Sequence, residues 1–79
     1  MRVRVKLFAT LGRYHPGSLP GTPFEVDLPE AAVLADLIRR LALPRDEVKI
    51  IYVNGRTQPL DHMLQPGDDV GIFPPVGGG

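Results

Sequence analysis

The residues with the most direct chemical potential stand together in Gly77, Gly78 and Gly79, where the carboxylate of Gly79 is the group a reaction could use. Glycine loses more conformational freedom on ordering than any other residue, so three in a row are expected to stay mobile until something binds them. A lead without side chains can thread a narrow channel and present a carboxylate to another protein's active site. Fully extended, three residues reach roughly 10 Å. Pro74 and Pro75 ahead of them resist collapse onto the domain, because their φ is fixed and they offer no amide donor. Ordering the glycines in a channel costs about 3–6 kcal/mol, which contacts made by the folded body must offset. A docking patch near the tail is therefore expected. The competing reading is an incidental frayed end.

Other chemistries find little support. With no cysteine, the chain has no disulfide, no thiolate metal site and no thiol nucleophile. His15 and His62 stand apart and lack the three or four convergent ligands that zinc requires, so no metal site is expected. Asp68-Asp69 reads as a turn opening a strand. No glycine-rich loop joins a strand to a helix start, so there is no nucleotide cradle, and no nucleophile–base pair has a recognisable spacing. The chain is thus not expected to be catalytic alone, nor to hold a bound cofactor. Nine basic residues balance nine acidic ones, whereas a nucleic-acid binder carries a clustered basic excess. No continuous apolar stretch suits a secretory signal or a membrane span, and the expected location is the cytoplasm.

The elements that must position the tail are legible from periodicity. Residues 2–10 alternate, with Val3, Val5 and Leu7 on one face and Arg4, Lys6 and Phe8 on the other, as a half-buried strand does. Residues 12–23, holding Pro16, Gly17, Pro20, Gly21 and Pro23, read as a long loop. Residues 24–28 alternate again, predicting a second strand antiparallel to the first. In residues 31–42 the period changes. Leu34, Leu37, Ile38 and Leu41 form a helical stripe, with Arg39 and Arg40 off it and Pro44 ending the helix. Residues 48–53 are β-branched and aromatic, hence a strand. Asn54-Gly55 is a tight hairpin turn leading to a short return strand over 56–60. Residues 61–65 suggest one helical turn, 66–68 a turn, and 69–73 a last strand with Val70 and Ile72 inward.

The order ββαβ(β)β with one crossover helix predicts an α+β chain of β-grasp (ubiquitin-like) type, a mixed four- to five-stranded sheet packed on one helix. The body spans residues 1–76 and the glycine tail 77–79. In a β-grasp the first and last strands are parallel neighbours, which brings Phe8 and Phe73 together on the outer face beside the tail. That pair is the expected heart of the docking patch. With Pro74, Pro75 and Val76 it forms the candidate partner-binding set.

These residues resemble a family. Asp61-His62, Leu64, Gly67-Asp68, Val70 and Phe73-Pro74-Pro75-Val76, closing in Gly78-Gly79, look like the C-terminal signature of the MoaD/ThiS sulfur carriers. The Phe-Pro-Pro-Val step, and the opening strand running into Phe8-Ala9 with Leu11 after it, resemble the MoaD branch, the small subunit of molybdopterin synthase. Gly77 stands where that branch usually has a small polar residue, so the triple glycine also resembles ThiS chains. Ala32 stands where the family often places a helix-capping Ser or Thr.

The resemblance implies that an E1-like adenylating enzyme (MoeB/ThiF-like) uses ATP to activate the Gly79 carboxylate. A sulfurtransferase or cysteine desulfurase then supplies sulfur for a C-terminal thiocarboxylate. In the MoaD branch the tail enters the large subunit of molybdopterin synthase (MoaE-like) and gives its sulfur to a pterin precursor for molybdenum or tungsten cofactor. A ThiS-like role in thiazole or another thiolated product, a ubiquitin-like protein modifier and a plain interaction domain remain open alternatives at this stage.

Overall fold

The computed structural model describes residues 1–15, 17 and 19–75. Strand β1 (Arg2–Leu7) alternates exposed and buried positions as its period-two pattern requires, burying Val3, Val5 and Leu7. It is an interior strand, one in from the edge of the sheet. On one side β2 (Phe24–Asp27) runs antiparallel, with Arg2 opposite Asp27 and Val5 opposite Phe24. On the other, β5 (Asp69–Phe73) runs parallel, with Val5 beside Val70 and Leu7 beside Ile72. Beyond β5 lie β3 (Ile50–Val53) and β4 (Arg56–Thr57), both joined antiparallel. The five-stranded order is therefore β2-β1-β5-β3-β4. Helix α1 (Leu34–Arg40) follows β2 in the chain, and its Leu34, Leu37 and Ile38 join the inward strand residues in one buried cluster. This mixed sheet with one main helix is the ubiquitin-like β-grasp arrangement. No helix among the described residues is long and apolar enough to cross a membrane.

The helix is shorter than the 31–42 stripe suggests, for a backbone reason. Ala31 and Ala42 both take positive φ (65° and 57°), which a right-handed helix does not admit. Between them, Val33 is extended, and residues 32–34 pair with the segment expected to form a helical turn at 61–65. Val33 bridges Met63, Leu64 N–H donates to the Ala32 carbonyl at 2.9 Å, and Leu34 N–H donates to His62 at 3.0 Å. That segment is thus strand-like, and it feeds the buried Leu64 into the core. The N-cap is Val33 rather than Ala32. Its side chain cannot accept a hydrogen bond, so capping comes from the opposite direction: Asp36 Oδ2 accepts the Val33 N–H at 2.9 Å. Asp36 also pairs with Arg39.

Two short helical elements are added, the first where a strand end and a loop were expected and the second where no element was. A 3-10 helix, Ala9–Tyr14, starts directly after Phe8, whose carbonyl accepts the Leu11 N–H at 3.1 Å, and the fully buried Leu11 anchors it. A second, Arg45–Glu47, precedes the 48–53 segment, of which the strand keeps Ile50–Val53. Glu47 ties the two together, accepting from the Tyr14 hydroxyl at 2.8 Å and from Arg13 at 2.7 Å. The return strand keeps only Arg56–Thr57 before Pro59, which has no amide to extend a ladder.

The turn before β5 is fastened by the Asp68 carboxylate, 8% exposed, which accepts the Gln65 N–H at 2.8 Å and Asn54 Nδ2 at 2.9 Å. Asp68→Ala leaves a peptide donor without its acceptor and is expected to cost about 1–3 kcal/mol, read as a lowered urea midpoint at unchanged slope.

Candidate functional site

The site is built on the face of the sheet turned away from α1. Parity sends Lys6 outward from β1, Gly71 and Phe73 outward from β5, and Ile50 and Tyr52 outward from β3. Phe8 continues the β1 alternation by one residue, its N–H donating to the Ile72 carbonyl at 3.1 Å. The Phe8 and Phe73 rings consequently stack, with centroids 4.2 Å apart and planes inclined by 3°. Tyr52 meets the edge of Phe73 at 5.6 Å and 78°. The sequence expectation that Phe8 and Phe73 sit together is met.

Gly71 explains how the rings lie so close to the sheet. It sits beside Lys6 on one strand and Tyr52 on the other, and a Cβ there would stand 3.2 Å from Phe8 Cε2. The missing side chain leaves a flat floor for the Phe8 ring. Phe8, Phe73, Tyr52 and Gly71, with Lys6 and Asp69 at the rim, surround a shallow cavity of about 230 Å³. Ile50, paired with Phe73 and 38% exposed, extends the apolar surface. Tyr52, Gly71 and Ile50 were not singled out from sequence. The available signal was that Ile51 and Val53 face inward, which turns their neighbours outward.

The rest of this face is ionic. Arg2 reaches Asp27 at 2.9 Å and Glu25 at 3.6 Å, and Arg4 reaches Asp69 at 3.5 Å. The face thus divides into a charged half at the start of β1 and an aromatic half at its end. Arg2, mainly through its hydrogen bond and then through its charge, holds the Asp27 carboxyl below the usual carboxylate range. A carboxyl lowered on folding stabilises the fold above its unfolded value, and loses that contribution as pH falls through the lowered one. The pair is fully exposed, so the effect on stability is small. Arg2→Gln is expected to return Asp27 to the ordinary carboxylate range in an NMR titration, and an unmoved titration contradicts the assignment.

Of the lead-out residues, Pro74 is half-buried and Pro75 exposed. Val76, Gly77, Gly78 and Gly79 lie outside the described residues. His15 stacks on Phe24 at 3.7 Å, and His62 is half-buried in the segment that pairs with residues 32–34. Among the described residues no group of three or more His, Asp or Glu converges as metal ligands would.

With this fold and face in hand, comparison with known proteins gives a family. The model of the ThiS family matches residues 5–79, and the chain belongs to that family. A Pyrococcus furiosus protein assigned as molybdopterin converting factor, subunit 1, is 32% identical over 96% of this chain and 99% of its own, with a TM-score of 0.77. In the Helicobacter pylori complex of subunits 1 and 2 of molybdopterin-converting factor, the matching chain is 26% identical, with full coverage of both and a TM-score of 0.62. Small archaeal modifier protein 1 of Haloferax volcanii is 22% identical over 95% of this chain and 98% of its own, with a TM-score of 0.75, a likeness of fold. No curated protein sequence matches the chain significantly.

Proposed function

We propose that the chain is a sulfur carrier and the small subunit of a molybdopterin synthase. The observation that carries the reading is the stacked Phe8–Phe73 pair on the outer face, at the end of two adjacent parallel strands and one residue before Pro74-Pro75 lead toward the glycines. This is an apolar dock beside a carboxylate lead, as the ordering cost of the tail requires. A carboxylate is a poor electrophile and a poor nucleophile, and two partner reactions repair the two faults. In an E1-like (MoeB/ThiF-like) enzyme the Gly79 carboxylate attacks the α-phosphorus of ATP and pyrophosphate leaves. Persulfide sulfur from a sulfurtransferase or cysteine desulfurase then displaces AMP, and a partner thiol cleaves the S–S bond to leave the thiocarboxylate. With no cysteine in the chain, the sulfur comes from outside and rests on Gly79. Chemistry belongs to the partners; this chain supplies dock, lead and carrier group.

The molybdopterin branch is favoured by Phe73-Pro74-Pro75-Val76 and by the relatives named as converting-factor subunit 1, one of them in complex with subunit 2. A MoaE-like large subunit from the same source is expected to form a stable complex with the chain. With the thiocarboxylated chain as sulfur donor, that complex should convert a pterin precursor. The second reading, a ThiS-like carrier for thiazole or another thiolated product, draws on Gly77 and on the family model. Sulfur transfer to a thiazole-forming partner without any large-subunit complex would replace the first reading with the second. Chain-sized adducts on protein lysines would indicate a ubiquitin-like modifier.

A further inference from the structure

We propose that Asn54 is a site of spontaneous deamidation, restrained by a polar latch to Asp68 and Asp69, and that its conversion weakens the hold of the β3–β4 turn on the start of β5. Asn54 and Gly55 form the hairpin turn, with φ of 52° and 85°. Asn54 is exposed, and Gly55 has open space on its side-chain side, so neither water nor the attacking amide is shielded by bulk. The reaction needs no enzyme. The Gly55 amide nitrogen attacks Asn54 Cγ, the Cγ–Nδ2 bond breaks, and ammonia leaves with the amide proton. Water then opens the succinimide to an aspartyl or isoaspartyl linkage.

The fold opposes the first step. Asn54 Nδ2 donates to Asp68 Oδ1 at 2.9 Å and Asn54 Oδ1 accepts the Asp69 N–H at 2.9 Å, so both ends of the side-chain amide are held. Cγ meets the Gly55 nitrogen only after both bonds open. The conversion is therefore expected to run about tenfold or more slower in the folded chain than in the same chain unfolded. The product carries a carboxylate where a donor stood. It faces the Asp68 carboxylate, while Asp69 on β5 is already engaged by Arg4 at 3.5 Å and the neighbouring exposed cation on β4 is Arg56. Repulsion replaces the latch. Gly55, Asp69 and Val70 also line the cavity beside Phe8 and Phe73, so the latch bears on the dock as well, an extension that rests on the functional reading above.

The test uses the full chain and no partner, so its failure is distinguishable from failure of the carrier reading. Wild type is incubated in mildly alkaline buffer with and without urea, and isoaspartate at residue 54 is quantified by peptide mass spectrometry and enzymatic methylation. The expected result is the slowing given above in the folded chain, with part of that protection lost in a folded Asp68→Ala variant, which removes one of the two bonds and keeps the Asp69 N–H. Equal rates in folded and unfolded wild type, or full protection in folded Asp68→Ala, overturn the proposal. Should that variant not fold, Asn54→Asp serves instead. Its urea midpoint is expected to fall below wild type at neutral pH, and the gap to close as pH drops through the carboxylate range. A gap independent of pH overturns the repulsive latch.

Discussion

A chain lacking Gly78 and Gly79 is expected to fold as the whole protein does and to accept no sulfur. The buried cluster of the described residues ends with Ile72, and the last strand with Phe73, so the deletion leaves that cluster and that strand whole. It does move the terminal carboxylate back by two residues, about 7 Å of extended chain. Misplacing a reacting group by about 1 Å can cost a hundredfold in rate, so adenylation should fall below detection. An unchanged urea midpoint beside a lost ATP-dependent reaction is the predicted combination. Retained function in the shortened chain would make the tail incidental and leave a plain interaction domain.

The second large effect belongs to the aromatic pair. Phe73→Asp places a charge at the centre of the proposed dock, and Phe8→Ala removes the other half of the stack. Aromatic anchors at interface centres typically contribute about 2 kcal/mol or more, so each change should weaken partner binding by about thirtyfold or more. The cost to the fold is smaller. Both rings lie on the outer face and both backbones keep their ladder bonds, so the loss is confined to outer-face ring contacts, the Phe8–Phe73 stack and the Tyr52 edge contact on Phe73, about 1 kcal/mol each. Calorimetric titration against the activating enzyme and the large subunit separates the two effects. Unchanged affinity in both variants would remove the aromatic half of the face from the account.

How much of this was legible beforehand depended on period and parity. The alternation of Val3, Val5 and Leu7 and of Val70 and Ile72 defines two inner faces, and the parallel pairing of β1 and β5 then forces Phe8 beside Phe73. The Asn54-Gly55 turn was equally plain, because its positive φ values are what those residues tolerate. What escaped depended on long-range backbone pairing. Nothing local in residues 61–65 announces that Met63 bridges Val33, and that bridge trims the helix at its start. Ala31 and Ala42 with positive φ run against alanine's helix preference, so propensity pointed the wrong way at both ends. The 3-10 helix over Ala9–Tyr14 was hidden because its one buried anchor, Leu11, makes no period by itself. Gly71 was passed over in the sequence; its purpose is visible only once the Phe8 ring lies across it.

The central claim is that Gly79 carries sulfur, and one measurement addresses it directly. The protein is incubated with ATP, cysteine and host extract, then analysed by intact-mass and C-terminal-peptide mass spectrometry. The account predicts a shift equal to oxygen replaced by sulfur, localised by fragmentation to Gly79 and absent without ATP. Fragmentation is needed because oxidation of Met1 or Met63 adds nearly the same mass. No shift at Gly79, in an extract that thiocarboxylates a known carrier, would contradict the account.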